Sequence, residues 1–363
     1  MKKISSVIFL LTFLVFINCK NNAGEASSSD ETDQGNKFYQ SVIKLGNGFL
    51  DVFTSFGGLV ADALGLKADP KKSEVKTYFD TIAKKLEETV KNLEQLLKES
   101  GDATDQAQGA GDAAKNSGGS AVEVAVKELN AWIAEMAAAA KKGVAGATGG
   151  AQDAIGNVAA AGANGNAAGA QGDAASVKGI AEGMKGIVGA AKKMGVELKA
   201  GAAAAAANNA NTVGHLFASG GDAANANAAA TGHAAEVVSK VSGQQIIKAI
   251  VDSDMNANGQ APGAATGPVD AAIGTAAGAG AAFAGEMLHN DKIAAAIVLR
   301  GMAAGGKFAL ANGEGAAVNG LKSTVEGAVN KTLTALTDLV REAVQSGLKK
   351  VADVVKAAGN ATP

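Results

Sequence analysis

Residues 70–100 read PKKSEVKTYFDTIAKKLEETVKNLEQLLKES. Val75, Phe79, Ile82, Leu86, Val90, Leu93 and Leu97 follow one another at intervals of 4, 3, 4, 4, 3 and 4. That spacing stacks side chains on one face of a 3.6-residue helix. Glu87–Lys91 and Glu94–Lys98 are i,i+4 pairs in the favourable order and fall on the solvated side. Asp69 suits the N-cap, Pro70 the first helical position and Gly101 the end. A stripe this long has to be covered by other helices, so the chain is predicted to be all-α.

Neighbouring segments repeat the pattern. Ser120-Ala-Val-Glu123 has the form of a capping box, and Val122, Val126, Leu129, Ile133, Met136 and Ala140 then make one face up to a stop at Gly143. At the far end, Leu321, Val325, Val329, Leu333, Leu336, Val340, Val344, Leu348, Val351 and Val355 share a face within 321–358. Between them, 144–320 is dominated by Ala, Gly and Asn, with shorter stripes at Val177, Ile180, Met184, Ile187, Ala191, Met194 and at Val269, Ile273, Ala276, Phe283, Met287. Gly-Asp-Ala-Ala starts at Gly111, Gly172 and Gly221; the unequal intervals exclude a solenoid, and the motif reads as a helix start capped by Asp. Phe38 to Leu66 is helical by spacing but weakened by Gly46, Gly48, Gly57 and Gly58. Prolines stand only at 70, 262, 268 and 363, and no run alternates as a strand does.

The first residues carry a different message. Lys2 and Lys3 precede a 14-residue, mostly apolar run from Ile4 to Ile17. A spanning helix needs about 20 apolar residues, so 1–18 reads as a cleaved signal peptide. It ends in Phe16-Ile17-Asn18-Cys19, which resembles a relaxed bacterial lipobox, with Asn18 where a small residue is usual. Cys19 is thereby the expected lipidation site, its thiol taking the acyl-bearing group before the peptidase cuts. Several acyl chains on one residue anchor a protein stably. Residues 19–36 follow without a large apolar side chain and are expected to form a flexible tether, with 37–363 a single helical domain.

Composition and motifs exclude most chemistry. The formal net charge is −2 and gives no basic face of nucleic-acid type. One cysteine leaves no internal disulfide and no thiolate metal site. Gly301-Met-Ala-Ala-Gly-Gly306-Lys307 has phosphate-loop spacing, but Phe308 occupies the place of the Mg²⁺-binding hydroxyl and a helix precedes it, so the glycine pair reads as a helix stop. His215, His233 and His289 lack metal-ligand spacing and are expected at exposed loops or helix ends. No nucleophile–base set appears, so no catalytic residue, cofactor or metal is assigned. The sequons at Asn330 and Asn360 carry little meaning in a bacterial lipoprotein.

One stretch points to a family. Residues 287–310, MLHNDKIAAAIVLRGMAAGGKFAL, closely resemble a segment of the variable large proteins of relapsing-fever Borrelia and of the related Vls surface lipoprotein of Lyme Borrelia. FYQSVIKLGNGFLDVF at 38–53 and KGIAEGMKGIV at 178–188 resemble the same family. The resemblance implies an elongated helical bundle with its N- and C-terminal helices paired near the outer membrane and a loop-rich distal region, the divergent middle lying at about 144–320. It implies a surface antigen acting in antigenic variation, with host antibodies as partners and a homodimer as one possible state. It also implies that the 287–310 segment is largely buried. An adhesin for a host ligand is the alternative, but the sparse Lys192-Lys193 and Lys349-Lys350 pairs give it no docking patch.

Overall fold

The computed structural model describes residues 69–105, 118–159, 169–202, 205, 209–220, 223, 225–276, 278, 280–311 and 315–360. The signal peptide, Cys19, the tether, the 38–66 stripe, Asp112 and Asp222 lie outside the described residues.

The described residues form eight α-helices: α1 Lys72–Asp105, α2 Gly118–Gly146, α3 Ala174–Lys193, α4 Ala228–Ser239, α5 Gly243–Val251, α6 Pro268–Ile273, α7 Asn290–Met302 and α8 Gly315–Asn360. Short 3-10 turns lie at Ala210–Phe217, Pro262–Ala264 and Gly285–Leu288. Among the described residues there is no strand, only isolated bridges at Lys71–Ala154, Val158–Phe308 and Ala170–Lys307. The expected all-α class holds.

The long stripes are the core. Val75, Phe79, Ile82, Leu86 and Leu93 of α1 are buried, as are Leu129, Ile133 and Met136 of α2 and Val177, Ile180, Met184 and Ile187 of α3. On α8, Leu321 through Val344 of the stripe are buried, Leu348 is half-buried and Val351 is buried again. α2 packs on α1, α3 and α8, while α7 is surrounded by α4, α5, α6 and α8. Tyr78 ties α1 to α8: its hydroxyl donates to Leu333 O at 2.9 Å and shares a 2.9 Å bond with Thr337 Oγ1. Complete burial holds that phenol well above its ordinary pKa, so it stays a neutral donor.

Helix ends differ from the expectations in instructive ways. α1 starts at Lys72 and not at Pro70, because the Pro70 carbonyl accepts from Ile155 N–H at 2.7 Å and Lys72 N–H donates to Asp153 O at 2.9 Å. Asp69 caps nothing; it sits at φ +71° and pairs with Lys322 of α8. α1 runs through Gly101 to Asp105, and α2 starts two residues before Ser120. α2 also passes through Gly143, which serves packing instead of termination: a Cβ there would stand 2.6 Å from the Phe79 ring. Asp173 does cap α3, accepting from Ser176 N–H at 2.8 Å. The 269–287 stripe is not one helix. α6 stops at Gly274, whose φ of +70° breaks the turn, and Ala276 is exposed, although Val269, Ile273, Phe283 and Met287 are buried.

Candidate functional site

The segment that carries the family resemblance forms α7, and α7 is buried on every side. Ile293 to Met302 are all buried, including Arg300. An isolated guanidinium inside a core is costly unless its donors are used. Here they are used on backbone carbonyls. Nε donates to Ala272 O at 3.1 Å, Nη1 to Phe217 O at 2.9 Å, and Nη2 to Ala271 O at 3.0 Å and Ile273 O at 3.5 Å. The guanidinium also lies 4.7 Å over the centre of the Phe217 ring. Burial pushes it down to about 9, and the carbonyl fork favours the charged form. Gly274 and Gly306 make room: a Cβ on the first would strike Nη2, and on the second the Arg300 carbonyl.

Two lysines repeat the arrangement. Lys72 is buried and donates to Ala303 O at 2.6 Å and Gly306 O at 2.7 Å, closing the turn after α7. Lys331 donates to Val238 O at 2.8 Å and Val241 O at 2.9 Å, at the end of α4. Each cation therefore satisfies carbonyls at or just beyond a helix end, on the side of the negative end of the helix dipole. Ser176 adds a neutral link, donating to Gly146 O at 2.5 Å and accepting from Ala304 N–H at 2.9 Å. Together these bonds knit the ends of α2, α4, α6 and α7 into one body.

Lys72 gives a pH test. Desolvation lowers it to about 8 from an ordinary 10.5, opposed by Asp153 and reinforced by Arg300 and Lys307. Between those two values the unfolded chain binds more protons than the folded one, so this residue's contribution to stability rises with pH across that window. Urea midpoints of wild type and Lys72→Met should therefore diverge in favour of wild type from pH 8 toward 10. Parallel curves would contradict the assignment.

The residues weighed for chemistry are not brought together. Gly301–Lys307 is the end of α7 and the turn after it, with Gly305 at φ +72°, as the helix-stop reading expects. Of the histidines only His289 is exposed; His215 and His233 are half-buried, with His233 Nδ1 sharing a 2.8 Å bond with Thr212 Oγ1. The expectation of exposed histidines fails for those two because the Ala210–Phe217 turn packs against α4. A cavity of about 330 Å³ between α5 and the start of α7 is lined by Lys248, Asp252, Asp254, Asp270, Asp291 and Lys292 among others. Its charges are engaged locally: Lys248 pairs with Asp252 at 2.5 Å and Lys292 with Glu286 at 2.8 Å. Among the described residues, no group of three or more His, Cys, Asp or Glu could hold a metal ion. No helix of the described residues is long and apolar enough to cross a membrane.

Sequence reasoning missed Arg300, Lys72 and Lys331. A signal for Arg300 was present: a lone charge inside IAAAIVLRGM, in a chain whose arginines stand only at 300 and 341.

Comparison with known proteins agrees with this geometry. Over 88 residues, 24% of this chain and 23% of the relative, the sequence is 46% identical to variable large protein 19 of Borrelia hermsii. It is 40% identical over 85 residues to variable large protein 4 of the same organism, again about a quarter of each chain. The matched segment thus spans under a quarter of those relatives. A crystal structure of the Lyme disease variable surface antigen VlsE of Borrelia burgdorferi superposes with a TM-score of 0.70, at 47% identity, covering 88% of this chain and 99% of that one. A family model described as Borrelia lipoprotein matches residues 49–355, through α7 and most of α8, and the chain belongs to that family.

Proposed function

We propose that this chain is an outer-surface lipoprotein antigen that acts in antigenic variation, evading host antibodies by presenting an exchangeable surface on a fixed helical core. Lipid on Cys19 holds it to the outer membrane through the 19–36 tether. The body stands with both termini at the membrane and 144–285 directed outward. The observation that carries the reading is how apolar side chains are divided between core and surface. The stripes of α1, α2, α3, α7 and α8 are packed inside, whereas the described residues expose only two large hydrophobics, Val124 at 51% and Leu288 at 40%. Segments outside the α-helices at 147–159, 195–202 and 252–267 carry small and polar residues at the surface. Such segments accept substitution with little effect on stability. Membership in a lipoprotein family and the likeness to a variable surface antigen support the same reading.

The test uses intact cells. Cys19→Ala should release the protein from membranes, and mass spectrometry of the wild-type N-terminus should show an acylated cysteine at 19. Limited proteolysis should cut first between 144 and 285 and leave 321–358 longest. Antibodies raised on whole cells should map to the early-cut region and should not reach 291–303. Early cutting within 321–358 beside a protected middle would reverse the orientation and remove the basis for the antigenic reading.

A further inference from the structure

Asn-Gly pairs are the peptide sequence most prone to deamidation, because glycine leaves its own amide nitrogen open to the preceding side chain. The chain has five, at Asn47, Asn164, Asn258, Asn312 and Asn319. Of the two among the described residues, Asn319 lies within α8, where helical geometry keeps the next nitrogen away from the side chain. Asn258 lies outside any helix, in the turn between α5 and α6, and is exposed.

At that turn the following residue is held in an unusual way. Gly259 adopts φ +88° and is buried; a Cβ there would strike Gly274 O and the Ile273 side chain. Its N–H donates to Asp270 Oδ1 at 3.1 Å, and the next N–H, of Gln260, donates to Asp270 O at 3.2 Å. Asp270 is itself buried and is fixed by Thr266, whose hydroxyl donates to Oδ2 at 3.2 Å.

We propose that Asn258 is a latent deamidation site, which the Asp270 carboxylate keeps shut in the folded antigen. In the reaction, Gly259 N loses its proton and attacks Asn258 Cγ; the N–Cγ bond forms, the Cγ–Nδ2 bond breaks and ammonia leaves with that proton. Water then opens the succinimide to aspartate or isoaspartate, so one water enters and one ammonia departs. The carboxylate opposes the first step twice. It occupies the N–H that must be given up, and its negative charge disfavours the amide anion that attacks. When the turn opens, the brake is lost and the exposed turn gains one negative charge in either product, and in isoaspartate a link that lengthens the backbone as well. The surface that antibodies meet would then change with the age of the molecule, without a change of gene.

The chemistry at this turn is independent of the proposed function; only its consequence for antibodies rests on that reading. Purified full-length protein is incubated at body temperature and mildly alkaline pH, and isoaspartate at 258 is counted by peptide mapping. The native wild type is expected to react about tenfold or more slowly than the same chain in denaturant, and Asp270→Asn about tenfold faster than native wild type. Thr266→Val loosens the same turn but leaves the carboxylate on Gly259 N–H, so it should stay near the native rate. A native rate equal to the denatured one, an unchanged rate in Asp270→Asn, or equal acceleration by Thr266→Val would each overturn the proposal.

Discussion

Arg300→Met is expected to lose about 3–5 kcal/mol of folding stability, a large share of the roughly 5–15 kcal/mol that a domain has in total. Met matches the length of the stem but donates nothing. Ala272 O and Ile273 O keep the Gly172 N–H, at 3.3 and 3.1 Å. Phe217 O and Ala271 O lose the guanidinium in a site sealed from water, each at about 1–3 kcal/mol. The Phe217 ring loses its cation while keeping edge contacts to Phe283 and Phe308, with ring centres 5.2 and 5.4 Å away. Arg300→Lys should fall between, because one ammonium cannot span carbonyls on both the 210–217 turn and α6. Urea unfolding followed by circular dichroism measures both. A cost under about 1 kcal/mol for Met would mean that the carbonyls find other donors.

A second large effect is expected where α2 meets α3. The two helices touch backbone to backbone through glycine. A Cβ on Gly183 would lie 2.7 Å from Gly143 N, one on Gly179 2.6 Å from Gly146 Cα, and one on Gly146 2.5 Å from Ile180 N. No side chain is present to rotate away, so the helices themselves must part. Gly183→Ala should therefore cost about 1–3 kcal/mol, and Gly183→Val more. On the same helix Gly189 is exposed and meets nothing within 4 Å. Gly189→Ala should instead stabilise by about 0.5–1 kcal/mol, through helix propensity alone. Opposite signs for one chemical change, six residues apart, separate packing from propensity; equal signs would refute the close contact.

These glycines show where sequence reading stops. Stripes of Val, Ile, Leu and Met located α1, α2, α3 and α8 because each large residue needs a covered face, and that need is periodic. Gly143 was legible only as punctuation, since nothing local distinguishes a glycine that ends a helix from one that lets a neighbour approach. The 269–287 stripe misled for a related reason. Val269 and Ile273 have helical spacing and are buried, but Gly274 turns the chain so that Phe283 and Met287 reach the core by another path. Buried cations were harder still. Lys72 lies among the surface-type lysines of a helix start, and only residues 303–306, more than two hundred positions away, reveal its role. Lipid on Cys19 is an expectation from local chemistry alone, and that residue lies outside the described residues.

A helix is commonly finished by its own next few residues, so the loop that follows is obliged to supply the stop. Here that local stop has a second, distant support: Lys331 at the end of α4, 93 residues from the Val238 carbonyl it holds, and Arg300 at the 210–217 turn, 83 residues from Phe217. The α6 carbonyls are held by the same Arg300 and the turn after α7 by Lys72. The local stops, such as Lys240 N–H on Glu236 O after α4 and Gly274 N–H on Asp270 O after α6, are thereby backed up from the interior. Loops that spring from ends pinned in this way accept substitution with less effect on the core. Tolerance of change on the outside of such a molecule is thereby a property of how its inside is wired.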